Sequence, residues 1–194
     1  MATAGDIAQL IEGLCVPDAA KRTLAAAFLF EHGSEATKVI TEAWLAFAPL
    51  ANLLERDPWT GNPKLTVGVA VEPATFERIL EANGSPQPAH VPPDQDAREF
   101  ELAFPEGARL DILTTRQPGG TGAIARYLAK FGEGIQQVEI HVTDVDRASE
   151  ILRSQFALQP IYPATRAGAN GTRVNFFLVP TDGKKVLVEL VEER

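Results

Sequence analysis

Two carboxylates stand where strand sequences rarely hold a charge. Asp111 interrupts the run Arg109-Leu110-Asp111-Ile112-Leu113, and Glu189 interrupts Lys185-Val186-Leu187-Val188-Glu189-Leu190. A lone carboxylate buried in a strand costs several kcal/mol unless a cation or a hydrogen-bond donor meets it. Such a group is either paired within the structure or available for chemistry, as an oxygen ligand for a cation or as a proton carrier whose pKa burial has raised. The two carboxylates also occupy matched places. Residues 65–71 (LTVGVAV) and 135–142 (IQQVEIHV) are both β-prone, and each is followed by an amphipathic helical stretch and by further strands that end in RLDIL and KVLVEL. Matched positions in two copies that fold against each other converge on one shared site, and function is expected there.

The elements that must position these groups follow from the pattern. Residues 1–57 read as helical: Asp18 is a candidate N-cap for 19–32, Gly33 a stop, and Ser34 a cap for a second helix carrying Val39, Ile40, Ala43, Trp44, Phe47, Leu50 and Leu54, with Pro49 kinking or ending its first part. Residues 57–63 (DPWTGNP) read as a linker. From Lys64 the period becomes strand-like: strand 65–71, helix 74–82, a Pro-rich loop 85–96, and strands 98–104 and 109–114 around Pro105-Glu106-Gly107. A helix over 124–131 ends at Gly132. The order then repeats as strand 135–142, helix 145–156 capped by Asp144, a short strand near 159–162, a Gly-rich loop 166–171, and strands 172–179 and 185–191 joined by Thr181-Asp182-Gly183. The expected organisation is a helical extension over 1–57 and one α+β domain over 64–192 made of two modules, 64–115 and 135–192.

Composition narrows the partners. With 45% hydrophobic and 23% charged residues the chain is ordinary globular material. A formal charge of −8 argues against nucleic acid, whose recognition needs clustered Lys and Arg. No run approaches the ~20 apolar residues that span a bilayer, and the N-terminus lacks a basic segment followed by an apolar core, so a soluble cytoplasmic protein is expected. The single cysteine, Cys15, fits a reducing compartment and reads as a small core residue.

Several motifs together carry a resemblance. Leu110-Asp111-Ile112-Leu113, residues 123–135 (AIARYLAKFGEGI), Arg166-x-Gly168-Ala169-x-Gly171 and Val186-Leu187-Val188-Glu189-Leu190 resemble methylmalonyl-CoA epimerases, within the vicinal oxygen chelate superfamily that includes glyoxalase I and the bleomycin-resistance proteins. The resemblance spans about residues 64–192 and leaves out the helical N-terminus. It implies two tandem βαβββ modules, each giving metal ligands from its first and last strands. It also implies a metal that polarises an acyl-CoA thioester carbonyl while carboxylates move the α-proton. Carried over position by position, the first-strand ligands fall on Thr66 and Gln137, the last-strand ligands on Asp111 and Glu189, and the catalytic carboxylates on Glu189 and on Asp94 in the Pro-rich loop. The family places histidine at both first-strand positions, and neither is histidine here. The remaining all-oxygen set suits Mg²⁺, Mn²⁺ or Ca²⁺ rather than Zn²⁺ or Co²⁺, or no metal at all.

Each position also has a plain structural alternative. Glu189 or Asp111 could be paired with an arginine such as Arg109 or Arg173, and Asp94 could be an ordinary exposed loop acid. His141 shares a strand face with Gln137, yet at roughly 13 Å along the strand, from the ~3.3 Å rise per residue, it does not replace a ligand. His32 reads as a helix-end surface residue and His90 as a solvated loop residue. Arg126, Lys130, Arg166, Lys184 and Lys185 are candidates for CoA phosphates or simply solvated charges. Two functions stay open: a proton-transfer enzyme acting on an acyl-CoA thioester or small carbonyl compound, and a metal-free small-molecule binding protein of the bleomycin-resistance kind. The apolar face of the N-terminal helices needs a cover, either the rest of the chain or a second copy in a homodimer.

Overall fold

The computed structural model describes residues 4–181 and 184–193, so the Asp182-Gly183 turn expected before the last strand lies outside the described residues. The fold is α+β. Its N-terminal part forms α1 (Ala4–Leu14), α2 (Ala19–Ala46) and α3 (Ala48–Ala51). Asp18 caps α2 as expected, its Oδ1 accepting the amides of Ala20 at 2.9 Å and Lys21 at 3.3 Å. Gly33 does not end a helix: α2 runs straight through it. The reason is packing, because Leu29, Gly33, Thr37, Ile40, Thr41 and Trp44 form one buried stripe at helical spacing. Burial along such a stripe outweighs the ~1 kcal/mol that an interior glycine costs. The two buried threonines satisfy their hydroxyls on carbonyls of the preceding turn, Thr37 on Ser34 at 3.1 Å and Thr41 on Lys38 at 2.9 Å. The helix stops before Pro49, where Phe47 turns extended and the proline enters the first turn of α3.

The chain divides into two compact units, each built from two separate stretches. The first comprises Met1–His32 and Thr66–Gln136. Its strands are β1 (Leu65–Ala70), β2 (Arg98–Ala103) and β3 (Arg109–Thr114), with α4 (Pro73–Ala82) after β1, a short 3-10 turn (Pro105–Gly107) before β3, and α5 (Ala123–Phe131) after it. The strand order is β2-β3-β1, with β1 parallel and β2 antiparallel to β3. One face of this sheet, with Val67, Val69, Phe100, Leu102, Leu110 and Ile112, packs against Ile11, Leu14, Leu29, Phe76 and Ile79 of the helices. The Pro-rich loop meets β2 through the Ala89 N–H, which donates to the Glu99 carbonyl at 2.9 Å.

The second unit comprises Gly33–Leu65 and Gln137–Arg194. It holds most of β4 (Gly134–His141), then α6 (Val145–Gln155), β5 (Arg166–Ala167), β6 (Arg173–Thr181) and β7 (Lys184–Glu192), ordered β4-β7-β6-β5. Asp144 caps α6 by accepting the Arg147 amide at 2.8 Å. Again the first strand of the module runs parallel to the last, β4 to β7, which is the relation the repeat implies. The strand expected over 159–162 reduces to a single bridge, Pro160 to Phe177, because proline brings no N–H to a ladder. The short extra strand is instead Arg166–Ala167, inside the stretch read as a loop. Ile140, Phe177, Val179, Val188 and Leu190 form the buried face against Trp44, Leu50, Leu54, Ile151 and Leu152. The 57–63 linker is an ordered turn: Asp57 Oδ1 accepts the amides of Trp59 at 3.0 Å and Thr60 at 2.8 Å, and Gly61 takes φ +70°. No helix among the described residues is long and apolar enough to cross a membrane.

Candidate functional site

Strand periodicity decides which side chains each unit turns away from its core. In the second unit Val138, Ile140, Val188 and Leu190 face the helices, so Gln137, Glu139 and His141 of β4 and Leu187, Glu189 and Val191 of β7 take the other face. The parallel register sets Glu139 directly against Glu189. Gln137 and Glu189 are nearly closed off from solvent, at 7% and 8% exposure. The Gln137 amide nitrogen donates to Glu189 Oε2 at 2.5 Å and to Glu139 Oε1 at 3.2 Å. One neutral amide thus donates to both carboxylates. Glu139 was not singled out in the sequence. Its signal was there in the polar alternation Gln137, Glu139, His141, but matching it to Glu189 requires the strand register.

Next to Glu189 on the same face stands Phe176, its antiparallel partner on β6. Val174 and Leu178 flank it on that strand, so the carboxylates meet an apolar neighbour on one side. His141 lies at the far end of β4, with Nδ1 3.2 Å from Glu193 Oε1, and Lys64 Nζ reaches the same oxygen at 2.6 Å. It stands beside that Lys64–Glu193 ion pair and not at the carboxylate pair. Arg173 spends its guanidinium on Asp146 and on Glu192, the latter at 3.1 Å.

In the first unit the register pairs Gly68 with Asp111 and Asp111 with Glu101, so Thr66, Gly68, Glu99, Glu101 and Asp111 share the face away from the helices. Thr66 is 3% and Asp111 8% exposed. Arg109 pairs with Glu101 at 3.4 Å. Glu99 was missed in the sequence; burial pushes its carboxyl up to about 7, so it gains and loses a proton around neutrality. Asp94 is exposed in the loop ahead of β2, in a turn closed by the Gln95 amide on the Pro92 carbonyl at 3.0 Å. His90 is exposed in the same loop, and His32 lies against the Phe28 carbonyl of its own helix at 2.6 Å. Cys15 is half-buried against the helical core, where desolvation raises its thiol pKa.

The donors in these two groups do not fit a transition-metal ion. Thr66 and Gln137 bring no imidazole, and Gln137 meets Glu189 through its N–H rather than presenting an oxygen beside it. Among the described residues no three of His, Cys, Asp or Glu gather as ligands would. What the second unit does offer is a pair of aligned carboxylates held by a donor and bordered by an aromatic ring, an arrangement able to accept and return a proton at a bound carbon acid.

Neither a protein-family model nor a curated protein matches the chain. Solved structures do. The chain is 32% identical to methylmalonyl-CoA epimerase from Mycobacterium tuberculosis, with a TM-score of 0.54 over 66% of this chain and 86% of that one. It is 25% identical to a variant of Streptomyces coelicolor methylmalonyl-CoA epimerase in complex with 2-nitronate-propionyl-CoA, with a TM-score of 0.53 over 73% of this chain and 98% of that one. It is 26% identical, with a TM-score of 0.53, to a methylmalonyl-CoA epimerase in complex with methylmalonyl-CoA and NH4⁺, over 73% of this chain and 95% of that one.

Proposed function

Because the chain belongs to the vicinal oxygen chelate superfamily, the glyoxalase-like group that contains the methylmalonyl-CoA epimerases, we propose that it binds an acyl-CoA thioester and moves the proton on the carbon beside the thioester carbonyl. The observation that carries this reading is the Gln137 amide held between the Glu139 and Glu189 carboxylates on the face of the sheet turned away from the core. Glu189 is the acid/base group: its oxygen takes the α-proton, the C–H electrons move into the carbonyl system, and the proton returns to the carbon. Gln137 fixes the direction of the carboxylate by donating to one of its oxygens. Return from the opposite side by a second acid inverts the centre; return from Glu189 only exchanges the hydrogen. No step is routed through a metal, since the donors do not suit a transition-metal ion and no three His, Cys, Asp or Glu side chains gather among the described residues.

A second reading has its own support. Enolising a thioester calls for an electrophile at its oxygen, and without a fitting transition-metal set this sheet face suits binding without turnover. Incubating the protein in deuterated solvent with methylmalonyl-CoA and with CoA thioesters whose acyl part is uncharged separates the two. Label entering the α-position, and failing to enter with Glu189→Gln, supports the enzyme. Tight binding without label supports the binder, and neither binding nor label overturns the acyl-thioester reading as a whole.

A further inference from the structure

On one side of Glu189 the sheet face of the second unit is apolar, and the proton transfer just described makes no use of it. Pairing of β6 with β7 sets Phe176 beside Glu189, then Leu178 beside Leu187, then Pro180 beside Lys185 in successive rows. From Glu189 to the Leu187–Leu178 row is roughly 7 Å, two residues at the ~3.3 Å rise of a strand. Leu178 is 49% exposed, and Phe176 and Leu187 are half-buried. The alternate residues Phe177, Val179 and Val188 fill the core, so the strip is a second, uncovered apolar face of the same hairpin. In the other direction the face is closed. The next row, Val191 with Val174, is buried, and the loop before β6 sits so tightly on it that a Cβ on Gly168 would lie 2.6 Å from Val174 Cγ1. Tyr162 meets the Phe176 ring edge to face at 6.0 Å and borders the strip on the flank away from β7. Ladder hydrogen bonds lie in the plane of a sheet, so a ligand on this face meets side chains only, and here they are hydrocarbon. The amides of a pantetheine arm would lose water over the strip and gain no partner, whereas an alkyl chain gains by leaving water.

We infer that this strip seats the alkyl chain of the acyl group, joined directly to the carbon held at Glu189 and running over Phe176 to Leu187 and Leu178. This deepens, and rests on, the acyl-thioester reading by naming the substrate class: thioesters whose acyl part is a hydrocarbon chain of several carbons. Calorimetric titration of the full-length protein with propionyl-, butyryl-, hexanoyl- and octanoyl-CoA tests it. Each methylene laid on the strip should tighten binding about twofold to fourfold, the gain from burying a CH₂ group in part or in full, so octanoyl-CoA should bind more than about tenfold tighter than propionyl-CoA. Leu178→Ser should cut that ratio severalfold, and Leu178→Met, which keeps the apolar volume, should preserve it. The exposure of Leu178 keeps both substitutions clear of the core. Equal affinity along the series overturns the inference and leaves the acyl-thioester reading intact. So does a Leu178→Ser protein that keeps the full ratio, or one that loses all four esters by the same factor, which would put the pantetheine arm on the strip. A wild-type dimer that Leu178→Ser dissociates, with no dependence on chain length, would show a second copy covering the strip and would overturn the inference as well. A wild-type protein that binds none of the four esters overturns both.

Discussion

The carboxylate of Asp96 stands where a side chain on Gly122 would have to go: a Cβ there would lie 2.7 Å from Asp96 Oδ2 and 2.8 Å from its Cβ. The same carboxylate accepts the Thr115 hydroxyl at 2.8 Å and the Arg116 amide at 3.1 Å. The loop bearing Asp94, the end of β3 and the start of α5 are therefore locked through one residue. Gly122→Ala should destabilise the protein by ~1–3 kcal/mol through overpacking, and much less in an Asp96→Gly background, which removes both the oxygen and the Cβ that the new methyl would meet. Thermal melts of the four combinations measure the coupling, and additive losses would contradict the lock.

Glu189→Gln keeps the shape of the side chain and removes its titration. Proton exchange at the α-carbon should fall by ~10²- to 10⁴-fold, the usual effect of a lost acid/base group, while the melting temperature holds. Single-turnover label incorporation reads this directly. Exchange at the wild-type rate would remove Glu189 from the mechanism.

The donors around Asp111 in the first unit and around Glu189 in the second, each without an imidazole, predict that purified protein carries no stoichiometric zinc or cobalt, and that EDTA leaves acyl-CoA affinity unchanged. Elemental analysis on dialysed protein and titration with and without chelator are sufficient. Near-stoichiometric zinc would show that donors from elsewhere complete a site.

Glu99 gives a pH signature. Its carboxyl is raised by burial from the ordinary 4.5 to about 7, so between those values the folded chain holds a proton that the unfolded chain has lost. Its contribution to stability is fully present below pH 4.5 and disappears as the pH climbs through about 7. Glu99→Gln, which cannot ionise, should therefore be more stable than wild type at pH 8, with the advantage shrinking steadily towards pH 4.5. Urea midpoints for both proteins across that range test it, and a pH-independent difference would refute it.

The parts of the molecule legible in the sequence are those set by short-range rules. Asp18 and Asp144 cap helices because a side-chain oxygen two or three residues ahead of an amide needs no tertiary help. The repeat, with an acid in the last strand of each module, is likewise a linear pattern. Gly33 misled because glycine signals a helix end only where nothing else buries the turn, and here its neighbours Leu29 and Thr37 sit on a buried stripe. Arg166–Ala167 is too short to announce itself as a strand. Glu139 and Phe176 escaped because their meaning lies in register with Glu189, and register is settled by pairing between strands far apart in sequence.

The weaving of each unit from two separate stretches shapes how the chain must be made. The first unit has all its residues once Gln136 is synthesised, whereas residues 33–65 of the second precede their partners from Gln137 onward by a whole module. At 5–20 residues per second, the ~70 intervening residues leave several seconds during which Ile40, Trp44, Leu50 and Leu54 have no strands of their own to cover them. A nascent chain stalled just past Gln136 should expose that helical segment to chaperones and proteases, and release past Val191 should withdraw it.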